Sequence, residues 1–354
     1  MSRFLNKKLG SLTPYTPGEQ PQDQQYVKLN TNESPFPPSP LAQRLARQAA
    51  GDLQLYSDPE CRKLKAAASE VLGAGEEQLI FSNGSDEMLY FAFMAFCGDD
   101  CPAVFPDITY GFYPVFANIN RVPFKEIPLK DDFSIDPKDY FAAGGTVFIA
   151  NPNAPTGLAL SLEDIEGIVK ANEGNVVVID EAYVDFGCES AMSLIDKYDN
   201  LLVIQTLSKS RSLAGGRLGF AVGNKELIRD LETIRYSTNP YNVNSMTMAA
   251  AMGAFLDKEY FEVCRKQIIE NRAYAKKALE DMGFYCLDSR SNFLFAKHKE
   301  LGGEFLYRRC KEKGVLIRHF TLPRIKDFNR ITIGTKEQID ALLKVIEEIR
   351  GGTK

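Results

Sequence analysis

Residues 201–223 read LLVIQTLSKSRSLAGGRLGFAVG. The stretch opens on an unbroken apolar run, Leu201 to Ile204, and closes on a second, Leu218 to Val222. Neither alternates with polar residues, so both read as strands covered on two faces, as in a mostly parallel sheet between helices. Between them lie Ser208, Lys209, Ser210, Gly215, Gly216 and Arg217. Most lysines sit in surface loops. An amine at the end of a buried strand, among hydroxyls, glycines and an arginine, is instead placed to bond a carbonyl beside an anion.

Moving outward, the same grammar repeats. QLIFS (78–82), PAVFP (102–106), TVFIAN (146–151) and VVVID (176–180) are further apolar runs of strand length. Helical patterns separate them: Ser161 and Asp164 form a capping-box signature ahead of Ile165, Ile168 and Val169. The alternation predicts an α/β domain with a mostly parallel central sheet sandwiched by helices. The ends differ. Residues 1–30, rich in Pro and Gln, predict an arm with little regular structure. After residue 245 a long helical region is followed by candidate strands SNFLFAK (291–297), GVLIRHF (314–320) and NRITIG (329–334). Thr335 and Gln338 then cap a helix through Ile339, Leu342, Leu343 and Ile346. The expected division is a large domain over 30–245 and a smaller α+β domain built from 1–29 and 246–354.

Composition narrows the function. The chain has 354 residues, 44% apolar and 25% charged, which excludes disorder and fibrous classes and is long enough for two domains. A net charge of −5 argues against nucleic acid as a partner. The longest apolar run, Met88 to Cys97, is about half a membrane span, and MSRFLNKKLG lacks the apolar segment of a signal peptide, so no membrane partner is expected. Seven scattered cysteines read as reduced thiols of a cytoplasmic protein. With two histidines in the chain, His298 and His319, no metal site is expected.

Candidate chemistry gathers at the carboxyl ends of the apolar runs, where open α/β sheets bind ligands. After QLIFS come Asn83, Gly84, Ser85 and Asp86, a turn into a helix that can bind an anion or simply cap the helix. Tyr110 in PDITYGFY is placed to stack on a planar ligand or to pack in a loop. Asn151-Pro-Asn153-Ala154-Pro155-Thr156-Gly157 is a loop in which Asn153 can present an amide. Asp180 ends VVVID, and a carboxylate leaving a buried strand needs a partner, either a cationic ring nitrogen or a nearby Arg or Lys.

Taken in order, these pieces resemble the fold-type I aminotransferases that use pyridoxal 5′-phosphate (PLP). LTPY (12–15), LNTNESP (29–35), DEAYVDF (180–186), TLSKSRSLAGGRLGF (206–220), PYNVN (240–244) and NRITIG (329–334) carry a likeness to the histidinol-phosphate aminotransferase subfamily. The resemblance runs from about residue 10 to the end of the chain. It implies that Lys209 bonds PLP covalently and then moves a proton at the substrate α-carbon. It implies that Asp180 partners the ring nitrogen, Tyr183 the phenolic oxygen and Tyr110 the ring face. Gly84, Ser85, Asp86, Ser208 and Arg217 fall where that family holds the phosphate. Tyr56 in LYSDPE matches a tyrosine that reaches the cofactor phosphate of a neighbouring subunit, which implies a homodimer with shared sites.

One departure stands out. The family asparagine before Pro-Thr-Gly bonds the phenolic oxygen, and here that position is Ala154. Either Asn153 shifts in, water replaces the amide, or Tyr183 carries the contact alone; the lost bond is worth about 1.5–3 kcal/mol. For substrates the resemblance implies an anionic amino donor, L-histidinol phosphate, and 2-oxoglutarate as the 2-oxo acid. Arg318 and Arg330 are the expected anion partners, with Tyr15 and Asn32 lining the substrate side. The same scaffold also carries aromatic amino-acid aminotransferases and phospho-amino-acid decarboxylases. A non-enzymatic PLP-binding effector domain is the reading from another class.

Overall fold

The computed structural model describes residues 2–6, 9, 10 and 12–351. Positions 1, 7, 8 and 11 of the expected arm lie outside the described residues. In chain order the elements are β1 (Val27–Lys28), α1 (Pro40–Ala49), α2 (Arg62–Leu72), β2 (Leu79–Ser82), α3 (Ser85–Phe96), β3 (Ala103–Pro106), α4 (Tyr113–Asn120), β4 (Phe124–Ile127) and β5 (Thr146–Ala150). There follow α5 (Leu162–Lys170), β6 (Val177–Asp180), β7 (Leu201–Thr206), β8 (Gly219–Gly223), α6 (Lys225–Thr238), α7 (Ser245–Leu256) and α8 (Lys258–Asp281). The C-terminal part holds β9 (Phe284–Cys286), β10 (Phe293–His298), α9 (Gly303–Glu312), β11 (Val315–Leu316), β12 (Arg318–His319), β13 (Asn329–Thr332) and α10 (Lys336–Gly351).

Seven strands form the large sheet in the order β2-β8-β7-β6-β5-β3-β4. The pairs β3–β4, β3–β5, β5–β6 and β6–β7 are parallel. β8 runs antiparallel to both β7 and β2, because the Leu207–Leu218 connection holds no α-helix to carry the chain back across the sheet. Every residue of β2, β3 and β5 to β8 is buried. Phe81, Val147, Ile179 and Val203 pack on one face with α1, α2, α5 and α7. Their neighbours Ile80, Phe148, Val178 and Leu202 pack on the other with α3, α4 and α6. The unbroken apolar runs are thus the direct record of a sheet covered on both sides.

The four-stranded sheet β12-β13-β10-β9 is antiparallel and covered by α8, α9 and α10 through Ile268, Leu294, Leu306, Ile331, Leu342 and Ile346. The expected arm is not wholly irregular: β1 pairs in parallel with β11, and Leu29 packs into this second core. The long helical region after 245 is two helices, broken where Asp257 accepts from the Tyr260 N–H at 3.4 Å and caps α8. The first, α7, packs on α1 and α2 and adds Ala250, Ala251, Ala254 and Phe255 to the core of the large sheet. The capping boxes form as read: Ser161 Oγ accepts from Asp164 N at 3.1 Å, and Thr335 N donates to the Gln338 side chain at 2.9 Å.

Candidate active site

Parallel strands end on the same edge, so β5, β6 and β7 deliver Ala150, Asp180 and Thr206 to one pocket. The antiparallel β8 leaves that edge rather than ending there, and Arg217 just before it faces the same space. Into this enclosure of about 90 Å³ the structure brings Ser85, Asp86, Tyr110, Tyr183, Ser208 and Lys209 as well. A larger cavity of about 360 Å³ adjoins it across Tyr110, Ala154 and Tyr183, and is lined further by Tyr15, Arg318 and Arg330.

Two glycines shape the anion end. Gly84 precedes α3 with φ 78° and ψ 162°, a backbone that side chains do not adopt. A Cβ there would stand 2.5 Å from the Arg217 guanidinium, and a Cβ on Gly219 would stand 2.3 Å from the Ser85 N–H nitrogen. The turn thus brings the first N–H groups of α3 and Arg217 together. Arg217 donates to one oxygen of Asp86 at 3.1 Å, and Tyr110 donates to the other at 2.6 Å. Ser208 is fixed by Thr206, whose hydroxyl bonds both its N–H (3.2 Å) and its Oγ (3.0 Å).

Asp180 is 4% exposed. Burial pushes its carboxyl up to about 6, against the Tyr113 hydroxyl, which donates at 3.0 Å, and the Ala182 N–H at 3.2 Å. Tyr113 is fully buried and was not singled out in the sequence; in YGFYPVF it reads as one more apolar aromatic of a helix start. Burial lowers Lys209 to about 8, with the Arg330 charge acting in the same direction. Among the described residues the one hydrogen bond of its amine goes to the Thr31 carbonyl, at 3.4 Å. An underpartnered amine thus shares a pocket with a buried carboxylate that makes no ion pair among the described residues. Tyr183 packs edge-on against Phe293 with ring centroids 5.1 Å apart, and burial raises its hydroxyl above the usual range.

Some expected residues stand elsewhere. Asn153 does not turn into the pocket: its amide donates to Ile108 O (2.9 Å) and Thr156 Oγ1 (3.2 Å) and accepts from Thr109 (2.8 Å). Both N–H groups of the buried amide are thus taken by the loops that follow β3 and β5, and neither is left to donate to a ligand. Asn32 lines neither cavity but donates to the Tyr183 hydroxyl at 2.9 Å. Tyr56 is 82% exposed and stacks on Tyr241, 4.6 Å between centroids, outside both cavities of its own chain. Arg318 lines the larger cavity and donates to the carbonyls of Thr16 (3.1 Å) and Pro17 (3.3 Å), tying the arm across it with N–H groups to spare. Arg330 donates to Asn30 O at 3.1 Å and keeps a buried Nε without a hydrogen-bond partner among the described residues. His298 takes the N–H groups of Glu300 and Leu301 on its ring and lies outside the site.

Comparison with known proteins matches this arrangement to a class. The chain belongs to the aminotransferase class I and II family, whose pattern covers residues 24–346. It is 48% identical to the histidinol-phosphate aminotransferase of Brachyspira hyodysenteriae over 99% of both chains, and 44% identical to that of Clostridium acetobutylicum over 98% of this chain and 99% of the other. Within the family it therefore groups with the histidinol-phosphate aminotransferases. The solved histidinol-phosphate aminotransferase of Sinorhizobium meliloti, in complex with pyridoxal-5′-phosphate, superposes with a TM-score of 0.88 over 99% of both chains; at 23% identity that likeness establishes the fold-type I architecture.

Proposed function

We propose that this chain is a PLP-dependent aminotransferase that converts L-histidinol phosphate and 2-oxoglutarate to imidazole acetol phosphate and L-glutamate in histidine biosynthesis. The observation that carries the reading is the presence in one pocket of Lys209, an underpartnered amine, and Asp180, a buried carboxylate that makes no ion pair among the described residues. The donor set fits PLP at each end: an anion cradle of Ser85, Ser208 and Arg217, and a carboxylate suited to a protonated ring nitrogen.

The chemistry that PLP supplies when bound is a carbonyl that an amine can bond and a ring that accepts the electron pair left when a substrate proton departs. Lys209 would hold the carbonyl carbon, and its lowered pKa keeps much of the amine unprotonated near pH 8. The same Nζ would carry the proton at the substrate α-carbon. Asp180 holds a proton on the ring nitrogen, with Tyr113 keeping its carboxylate aimed. Tyr110 would cover the ring, and Tyr183 would donate to its phenolic oxygen. Arg330, whose buried Nε–H has no hydrogen-bond partner among the described residues, and Arg318 bind the phosphate or carboxylate of the two substrates in the adjoining cavity with Tyr15.

We also read the active unit as a homodimer in which Tyr56 reaches the partner's site; its exposure, with Leu53 and Leu55 beside it also exposed, supports this. Seven free cysteines suit a cytoplasmic setting. Among the described residues no helix is long and apolar enough to cross a membrane. Borohydride reduction of the PLP-loaded protein, digestion and mass spectrometry should place a pyridoxyl group on Lys209; a label on another lysine would overturn the site. Histidinol phosphate should then discharge the lysine-bound cofactor faster than phenylalanine or threonine phosphate, followed by absorbance. Carbon dioxide release without need of a 2-oxo acid would make the protein a decarboxylase instead.

A further inference from the structure

Ala154 leaves the phenolic side of the pocket one side chain short, and Asn153 does not fill it. The structure offers a different arrangement around Tyr183. Asn32 and Thr332 are 1% and 3% exposed. The backbone N–H of Asn32 donates to Thr332 Oγ1 at 2.9 Å. That donor cannot be reversed, so the threonine oxygen accepts and its own proton goes on to Asn32 Oδ1, 3.0 Å away. The amide is thereby set with Nδ2 toward Tyr183, whose oxygen accepts at 2.9 Å. A flipped amide would take the Tyr183 proton and strand the buried threonine proton. The phenol therefore keeps its proton for a partner in the pocket.

The supports are rigid. Phe293, edge-on to the Tyr183 ring, and Thr332 are register partners on β10 and β13. Asn292 donates to the Asn32 carbonyl at 3.0 Å, and Asn32 holds φ 56°, a left-handed backbone that asparagine tolerates. We propose that Thr332 and Asn32 form a relay that holds Tyr183 as a hydrogen-bond donor into the pocket, and so supplies the contact for which Ala154 has no side chain. Both are positioning residues: they act through Tyr183 and line neither cavity.

The proposal rests on Tyr183 as a partner of bound PLP, and the test separates the two. The readout is the pH midpoint of the absorbance change of the PLP-loaded protein. A hydroxyl donating to the charged phenolic oxygen weakens that oxygen's hold on the proton it shares with the lysine-bound nitrogen. Losing the donor should raise the midpoint. Tyr183→Phe should raise it by roughly one pH unit, Thr332→Val should raise it in the same direction, and Thr332→Ser should leave it in place. Thr332→Val added to Tyr183→Phe should move it no further, since the relay has no other output. An unmoved midpoint in Thr332→Val beside a moved one in Tyr183→Phe overturns the relay alone. So does a Thr332→Val shift that persists in the Tyr183→Phe background. An unmoved Tyr183→Phe overturns the relay together with the role of Tyr183. If Thr332→Val does not fold, Asn32→Gly deletes the amide while permitting the left-handed backbone, and carries the same expectations.

Discussion

Asp180 shows how a single residue ties site chemistry to stability. Its folded value, about 6, stands above the ordinary 3.8 because burial disfavours the charge. Between those pH values the folded chain binds more protons than the unfolded one. Stability from this group is therefore present below pH 4 and lost as pH rises toward 6, by about 3 kcal/mol. In urea melts of the PLP-free protein at pH 4, 5 and 6, Asp180→Asn should gain on the wild type by that order across the window. Glu181, which burial raises to about 7, titrates alike in both proteins and cancels. Added PLP should remove the difference in slope, because a ring N–H opposite Asp180 keeps the carboxylate ionised. Parallel pH profiles for wild type and variant without PLP would show that no such buried carboxylate exists. The place of Asp180 was legible, since a charge at the end of VVVID is costly to bury without a partner. Tyr113, its partner, was not, because a buried hydroxyl and a buried ring look the same in a sequence.

At the scale of elements, the turn from β2 into α3 does what the helix alone cannot. Its N–H groups face the pocket because Gly84 takes a backbone open to glycine and Gly219 lets β8 pass within van der Waals reach. Gly84→Ala should cost about 1–3 kcal/mol of stability. By displacing Arg217 it should also weaken PLP binding about ten-fold or more, measured by fluorescence titration. Gly215→Ala, with nothing within 4 Å of the added carbon, is the matched control and should bind normally. Unchanged affinity in Gly84→Ala would remove the turn from the cradle. The six buried strands were readable because both-face burial leaves no polar alternation. β4 was not, since Phe124-Lys-Glu-Ile127 lies on the sheet edge with its first three residues exposed. GVLIRHF read as one strand yet serves two sheets, β11 beside β1 and β12 beside β13. The helix just past residue 245, α7, packs on α1 and α2 in the core of the large sheet.

For the whole molecule, the reading of Tyr56 makes a claim about symmetry. Lys209→Ala is expected to be inactive, and Tyr56→Ala crippled. Mixed and refolded, about half the dimers should be hybrids, and a shared site would then return wild-type turnover to about one quarter of all sites. Were Tyr56 to serve its own chain, every site would carry one defect and activity would not exceed the mean of the parents. Absence of recovery despite demonstrated subunit exchange would remove Tyr56 from the site. Its stacking on Tyr241, whose segment PYNVN also carries the family likeness, places two exposed aromatics on one patch. Aromatic pairs of that kind anchor interfaces.

What the sequence determined by itself was local and periodic: two-face burial of the strands, the caps of α5 and α10, and the side chains at strand ends. Each depends on neighbours a few residues away, so a linear pattern records it. That Lys209 ends a buried strand, and that the chain carries the motifs of its family, could be read in the same way. What only the tertiary structure decided were partnerships between distant segments. Asn153 bonds Ile108 and Thr109 on the loop after β3, Arg318 holds the arm, and Asn32 bonds Tyr183. The Asn32–Thr332 bond spans 300 positions of chain, and its direction follows from one irreversible donor in a closed space. Hydrogen-bond direction is set by which groups burial leaves without water, and that is a property of the packed molecule rather than of any stretch of its sequence.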